Sequence, residues 1–297
     1  MPAILQGVPN ILSWDSFGYY LYSPSNFIYD DIFLIDQNWI DNIFETYQPS
    51  GTFYQVITQE DGVRTIKYPI GMALFYLPFF FVGHLAALIS NYPVDGFSLP
   101  YKASIFFGSI FHGFLGFLMF LRNLKLFFTQ KTQIVLLLLL TLGTNYLAVN
   151  HLLNGTPHQY LFLIYCVLVY ATVFWHKSFK PKYAFLIGAC MGLLVITRPS
   201  DILAIFIPIL WQLTNFKSLK NKLYLIVKKH KNQLIIAVIS GLVVCLPQMW
   251  YWYFTTGNLI YYSYQNPGEG FDFFAPHTVD YLFSFRKGWF VYSPVFY

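Results

Sequence analysis

Apolar runs of roughly 17–25 residues recur along this chain, and that length is enough to cross the hydrocarbon core of a bilayer. Hydrophobic residues make up 56% of the 297 positions and charged residues only 10%, a balance that excludes an ordinary soluble domain. Helices satisfy their backbone hydrogen bonds within one segment, as a hydrocarbon environment requires. We therefore predict an all-α integral membrane protein built as a multi-span helical bundle.

Acidic and basic residues are sorted along the chain. All thirteen carboxylates lie outside three short segments, 122–131, 176–182 and 217–231, which hold twelve of the eighteen Lys and Arg residues. Short loops rich in Lys and Arg stay cytoplasmic, so the acidic segments can all face outward. The net charge of +5 then reflects topology, and we expect no nucleic-acid partner.

The expected organisation is an extracytoplasmic loop with interfacial helices over residues 1–102, followed by a transmembrane bundle over residues 103–297. Residues 69–90 are apolar but contain two prolines, and we interpret them as a helix that lies in the outer interface or re-enters the membrane. A full span there would move residues 1–68 to the cytoplasm. We also expect a fragment of a longer membrane protein, because residues 289–297 resemble the start of a further span.

The stretch 183–214 is too long for a simple span. As one straight helix it would measure about 48 Å, and it would leave Lys182 and Lys217 on opposite sides of the membrane. We therefore predict a hairpin broken at Arg198–Pro199, with both basic loops inside. The other spans of the bundle are expected at 103–121, 132–149, 158–175 and 233–254.

The first motif with chemical potential is Trp14-Asp15-Ser16-Phe17-Gly18-Tyr19-Tyr20. An ionised Asp15 at the outer surface, surrounded by aromatic residues, could accept a proton from a hydroxyl group, and general-base help of this kind contributes ~10²–10⁴ in rate. Tyr19 and Tyr20 are possible substrate-binding residues. The structural alternative is a helix cap or a carboxylate bonded to a tyrosine hydroxyl in an ordinary loop.

The second motif is Thr65-Ile66-Lys67-Tyr68-Pro69-Ile70-Gly71. Pro69 favours an extended backbone before an apolar helix, which places the Lys67 ammonium at headgroup level, suited to a lipid phosphate. The alternative is an interfacial lysine whose head group simply reaches toward water.

The third motif is Thr197-Arg198-Pro199-Ser200-Asp201. An intramembrane arginine is costly and normally faces a cavity or a partner, and its planar guanidinium suits phosphate oxygens. Asp201 fits the first turn of the helix that Pro199 begins. An Arg198–Asp201 ion pair is therefore the structural alternative to phosphate binding.

Three further positions are possible substrate contacts. His151 and His158 flank an outer loop, and their spacing suits hydrogen bonding to a sugar or the backbone rather than metal binding. Arg286 lies in the aromatic loop 261–288. The three cysteines, which lie in apolar runs without metal spacing, are expected to be buried thiols: Cys166, Cys190 and Cys245.

Cofactor motifs are missing from the sequence. It contains no Walker A loop, no Rossmann glycine fingerprint, no Asp-x-Asp pair and no His-Glu-x-x-His. We therefore expect neither a cofactor nor a metal, and the sequence offers no machinery for ATP-driven transport or zinc proteolysis.

The order of these motifs resembles the GT-C membrane glycosyltransferases, in the bacterial branch similar to protein O-mannosyltransferases and lipid A aminoarabinose transferases. The matching motifs are Trp14–Tyr20, Lys67–Gly71, Arg198–Pro199 and Arg286–Pro294. The resemblance implies a GT-C fold, Asp15 as catalytic residue and Lys67 as a contact to the donor phosphate. Relatives often carry Glu after this Asp, whereas this chain has Ser16, and loop 150–158 lacks the second acidic residue of some relatives.

The resemblance implies an inverting, metal-independent transfer of a sugar from a polyprenyl-phosphate donor to a hydroxyl on the extracytoplasmic face. The expected partners are the lipid-linked sugar, a glycan, lipid or protein hydroxyl acceptor, and membrane lipids, with Arg198 beside Lys67 at the departing phosphate. The expected location is the bacterial cytoplasmic membrane. The competing hypothesis is a transporter or flippase of lipid-linked glycans, although the sequence shows no internal repeat of the kind many transporters have.

Overall fold

The computed structural model describes residues 11–60, 62–147, 155–264, 276–285 and 288–293. These residues form a predominantly helical protein with one short antiparallel β-hairpin. In chain order the elements are α1 (Asp15–Tyr20), α2 (Tyr22–Phe27), α3 (Gln37–Tyr47), β1 (Val56–Thr58), β2 (Arg64–Ile66), α4 (Gly71–Leu88), α5 (Leu99–Leu124), α6 (Gln130–Gly143), α7 (His158–Ser178), α8 (Pro181–Thr197), a 3₁₀ helix (Pro199–Ile205), α9 (Phe206–Leu210), α10 (Phe216–Lys229), α11 (Lys231–Thr256), α12 (Thr278–Phe283) and α13 (Trp289–Tyr292).

Four of the described helices, α4, α5, α7 and α11, are long and apolar enough to cross a membrane. Three of them contain the predicted spans 103–121, 158–175 and 233–254, and the fold is compatible with the expected all-α membrane protein. The predicted span 132–149 is interrupted, because α6 ends at Gly143 and Thr144 adopts an extended backbone, and residues 148–149 lie outside the described residues.

The predicted break at Arg198–Pro199 is confirmed. Helix α8 ends at Thr197, Arg198 is extended, and the 3₁₀ helix begins at Pro199, as expected for a residue that precedes proline. The chain then returns along the bundle, because the Trp211 ring lies 6.1 Å from that of Phe127, just beyond the end of α5.

Small residues bring α8 and α11 together in parallel. A Cβ atom added at Gly188 would lie 1.9 Å from the Ala237 carbonyl oxygen, and one at Gly192 would lie 2.6 Å from that of Gly241. Such contacts let two helix backbones approach closely. The two helices consequently end near each other, at the end of the bundle where α4 begins.

Residues 11–60 and the β-hairpin form an N-terminal unit that contacts both ends of α4. The Tyr22 hydroxyl donates to the Tyr68 carbonyl just before α4, at 2.7 Å, and the Tyr20 hydroxyl donates to the Gly96 carbonyl beyond it, at 2.6 Å. Helix α4 therefore lies along this N-terminal unit and runs antiparallel to α5, with Gly83 packed on Ser104.

Candidate functional site

Asp15 is exposed at the start of α1, in a loop that is fixed on both sides of Trp14. Trp14 has a positive φ of 53°, its N–H donates to the Pro49 carbonyl at 2.9 Å, and its own carbonyl accepts from the Gln55 side chain at 3.1 Å. A residue held in this sparsely populated region persists only when its surroundings hold it there. The carboxylate of Asp15 is thus presented from a defined backbone position.

Two tyrosines hold the carboxylate of Asp15. The hydroxyls of Tyr54 and Tyr68 both donate to Oδ1, at 2.8 and 2.6 Å. The sequence analysis offered, as a structural alternative, that Asp15 is bonded to a tyrosine hydroxyl, and two such bonds are present. Oδ2 accepts no hydrogen bond from the described part of the chain, so one oxygen of an oriented carboxylate remains available as an acceptor.

Gly18 makes the bond from Tyr68 sterically possible. A Cβ atom at this position would lie 2.4 Å from the Tyr68 ring and 3.0 Å from the Gln55 side chain. Only a residue without a side chain lets the ring reach α1 and donate to Asp15 one turn earlier. The glycine of the first motif thus has a packing role.

Lys67 lies inside an aromatic cage. Its side chain is 4% exposed, and its Nζ atom lies 6.0, 5.8 and 5.3 Å from the ring centroids of Tyr54, Tyr68 and Tyr264. Aromatic faces attract an ammonium at such distances. Because the head group is buried, Lys67 does not reach toward water as an ordinary interfacial lysine would. In this conformation a phosphate could contact Nζ only after one of the covering groups moved.

The backbone around Lys67 is fixed by helix α11 and the segment after it. The Tyr251 hydroxyl accepts from the Ile66 N–H at 2.8 Å, and the Gln248 side chain accepts from the Ile70 N–H at 2.5 Å. Ser263 donates its hydroxyl to the Lys67 carbonyl at 2.5 Å. The connection from β2 to α4 is thereby held in one position relative to the bundle.

Gly71 brings the Lys67 segment against the end of α8. A Cβ atom at Gly71 would lie 2.3 Å from the Thr197 Oγ1 and 2.6 Å from the Ile196 carbonyl oxygen. Thr197 directly precedes Arg198, so the second and third sequence motifs meet in the structure.

Arg198 is exposed, and its guanidinium makes no hydrogen bond or ion pair within the described ranges. The alternative of an Arg198–Asp201 ion pair is therefore wrong: the two residues interact electrostatically, but no ion pair within 4 Å joins them. Asp201 also interacts with Tyr165 and with His158, which begins α7. Arg198 remains an available cation at the end of the bundle that carries Asp15.

Tyr19 links Arg198 to the Asp15 cluster. Its ring centroid lies 4.6 Å from that of Tyr68, and its side chain is 8% exposed. Burial raises the pKa of Tyr19, Tyr264 and Asp15 raise it further, and the positive charge of Arg198 lowers it. Tyr19 thus stays protonated at neutral pH and can donate a hydrogen bond.

The tyrosines bonded to Asp15 also stay protonated. Burial, followed by the hydrogen bond to Asp15, raises the pKa of Tyr54 to about 12. The same causes in the same order raise the pKa of Tyr68 further. Both hydroxyls therefore remain donors over the whole physiological pH range.

The remaining predicted positions are not brought into this cluster. Tyr20 is fully buried and packs against Tyr76, Phe80 and Phe97 in the core. His158 interacts electrostatically with Asp201. His151 and Arg286 lie outside the described residues.

Several residues of the site were not singled out by the sequence. Tyr54 carried no signal of its own among the 24 tyrosines, and Tyr264 lies in the aromatic loop 261–288 but was not distinguished from its neighbours there. Tyr68 lies inside the second motif but was given no role. Gln248 had a usable signal, because a polar residue next to a proline inside an apolar span usually has a partner.

An apolar groove of about 370 Å³ lies beside the cluster, between α2, α4 and α11. Its walls include Tyr22 and Tyr251, which bond to the backbone on either side of Lys67, and Ile70 at the start of α4. Its remaining lining is largely apolar and includes Leu77, Trp250 and Phe254.

No group of three or more His, Cys, Asp or Glu residues that could hold a metal ion occurs among the residues that the structure describes. Comparison of the chain with protein-family models, with curated proteins and with solved structures gave no match.

Proposed function

We propose that the chain is a membrane glycosyltransferase of GT-C type that transfers a sugar from a polyprenyl-phosphate donor to a hydroxyl acceptor on the extracytoplasmic face. One observation carries the proposal: the two tyrosines that orient Asp15 also enclose Lys67. A candidate base and a candidate phosphate-binding cation thus lie beside the same two side chains, and a reaction between a hydroxyl and a phosphate-linked sugar needs both groups near one substrate.

In the proposed reaction the acceptor oxygen attacks the anomeric carbon and the bond from that carbon to the phosphate oxygen breaks. The acceptor proton passes to Asp15, and the electron pair leaves with polyprenyl phosphate. Arg198 and, after uncovering, Lys67 would stabilise the developing negative charge, and positioned donors of this kind contribute ~10²–10³ each. The guanidinium of Arg198 suits two phosphate oxygens at once.

The surroundings of the cluster fit a lipid-linked donor. The apolar groove, whose wall residues Tyr22 and Tyr251 bond to the backbone on either side of Lys67, offers a place for the first isoprenoid units. The acidic N-terminal unit contacts both ends of α4, which supports an interfacial or re-entrant helix rather than a full span. Asp15 would then lie on the side opposite the basic segments.

The test is the release of polyprenyl phosphate from polyprenyl-phosphate-linked sugars by the chain in liposomes, followed by mass spectrometry. Asp15→Asn should reduce release by ~10²–10⁴, because the amide keeps the tyrosine bonds but accepts no proton. Asp41→Asn is the matched control, because Asp41 is an exposed carboxylate on α3 that accepts a hydrogen bond from the Gln37 side chain at 2.6 Å.

A flippase would give a different result. It would move a fluorescent lipid-linked sugar between leaflets without consuming it, and Asp15→Asn would leave that movement unchanged. Translocation without release of polyprenyl phosphate, or equal release by wild type and Asp15→Asn, would refute the transferase proposal.

A further inference from the structure

Helix α10 differs from every other long helix in the described part of the chain, because it is both strongly basic and amphipathic. It contains five lysines and no acidic residue over Phe216–Lys229. Lys217, Lys220, Lys228 and Lys229 are exposed. Apolar side chains are exposed beside them, with Leu223 at 42% and Val227 at 54%.

The position of α10 is fixed by its neighbours. Its capping box, between Asn215 and Ser218, defines the start of the helix. Lys222 donates to the carbonyls of Pro208 and Trp211, at 3.1 and 2.8 Å, and so satisfies the end of α9. Ile226 packs against the core of the bundle.

Helix α10 is joined directly to a candidate span, because the apolar helix α11 begins at Lys231, only two residues after α10 ends. A helix joined so closely to a candidate span must lie near the membrane surface. It lies at the end of the bundle that carries the other two basic segments, with Trp211 beside Phe127.

We infer that α10 lies in the membrane interface and binds the headgroups of anionic phospholipids. Its exposed apolar residues would enter the boundary between headgroups and acyl chains, and its lysines would contact the lipid phosphates. Charge alone would also attract RNA or an acidic protein. The exposed Leu223 and Val227 favour lipid, because the adjacent bilayer provides an apolar phase for them whereas RNA does not. This inference does not depend on the proposed transferase activity.

The first experiment measures the affinity of the full chain for pyrene-labelled phosphatidylglycerol in mixed micelles, by energy transfer from tryptophan. Replacing Lys217, Lys220, Lys228 and Lys229 together by Gln should weaken binding by roughly tenfold or more, whereas the same four Lys→Arg changes should preserve it. The matched control removes four exposed lysines from the other basic segments: Lys125, Lys131, Lys177 and Lys180. An equal loss in that control, or no loss in the α10 variant, would overturn the inference.

The second experiment measures depth in a membrane. In a chain without native cysteines, a fluorophore on Leu223→Cys or Val227→Cys should be quenched by nitroxide-labelled lipids, and one on Asn221→Cys by a water-soluble quencher. Quenching of all three only from water would contradict an interfacial helix. RNA binding as tight as that of phosphatidylglycerol, lost in the same Lys→Gln variant, would instead identify a nucleic-acid surface.

Discussion

The two ends of the helical bundle are built from different chemistry. At the end where α4 begins, tyrosine hydroxyls donate to fixed acceptors, as Tyr54 and Tyr68 do to Asp15. At the opposite end, exposed lysines stand on α10 with few fixed partners. Binding at the first end should depend on the positions of individual atoms, whereas binding at the second end should depend on the density of positive charge. Single substitutions should therefore be severe at the first end and mild at the second.

After the loss expected for Asp15→Asn, the next largest effect follows from removing Arg198, an available cation at the tyrosine-rich end. Arg198→Gln should lower sugar transfer and the binding of polyprenyl phosphate by ~10²–10³, because a positioned donor is lost. Arg198→Lys should retain only part of the wild-type transfer and lipid binding, since an ammonium cannot bond two phosphate oxygens in parallel. Both are measured by the release assay and by lipid binding.

Arg122→Gln is the control for Arg198 at the other end of the bundle. Arg122 is also exposed and stacks on Tyr170 at 4.8 Å. A comparable loss of transfer in this variant would break the distinction between the two ends.

A smaller effect is expected from Gly18→Ala. The new methyl group would meet the Tyr68 ring at 2.4 Å and push its hydroxyl away from Asp15. Misplacement by about 1 Å costs up to ~10² in rate, so transfer should fall while the folded state persists. Gly51→Ala, with nothing within 4 Å, is the matched control. Wild-type transfer by a folded Gly18→Ala variant would show that the Tyr68 bond is not needed.

Gly71→Ala should act on stability. Its Cβ would meet backbone atoms of Ile196 and Thr197 at 2.6 Å, which cannot move aside as a flexible side chain can. Overpacking of this kind costs ~1–3 kcal/mol, to be measured by thermal unfolding in detergent. Gly51→Ala should remain within about 0.5 kcal/mol of wild type. Equal unfolding temperatures of the two variants would contradict the close contact between α4 and α8.

The smallest effect concerns pH. The pKa of Tyr54 is raised to about 12 from its usual 10, chiefly by burial and then by the bond to Asp15. Because the pKa of Tyr54 is higher in the folded state than in the unfolded state, its protonated hydroxyl contributes fully to the free energy of unfolding below pH 10. This contribution is lost as the pH rises through about 12. The tyrosinate absorbance of wild type minus Tyr54→Phe should therefore stay at zero until above pH 10. Ionisation of Tyr54 at its ordinary pKa would mean that its hydroxyl is not held.

The sequence predicted the features that depend on local pattern. Apolar length located α5, α7 and α11, and the proline after Arg198 placed the break in the 183–214 hairpin correctly. The motifs around Asp15 and Lys67 could be recognised because each combines a charge with glycine or proline at short spacing.

The contacts that join these motifs could not be predicted. Tyr54 reaches Asp15 from 39 positions away and Tyr264 reaches Lys67 from the far end of the chain, so only the tertiary fold brings them together. Tyr19 and Tyr20 look equivalent in sequence, but successive helical residues point about 100° apart. Tyr19 consequently faces the Asp15 cluster, whereas Tyr20 faces the hydrophobic core.

The close contact of Gly188 and Gly192 of α8 with α11 fixes how far α11 extends toward the candidate site. Gln248 and Tyr251, which hold the backbone on either side of Lys67, lie on α11 about 16 Å or more beyond Ala237, where Gly188 fits. A slip of α11 by one turn would move both side chains by about 5.4 Å and break both bonds. The contact between Gly188 and Ala237, far from Asp15 and Lys67, therefore determines whether Gln248 and Tyr251 reach the backbone around Lys67.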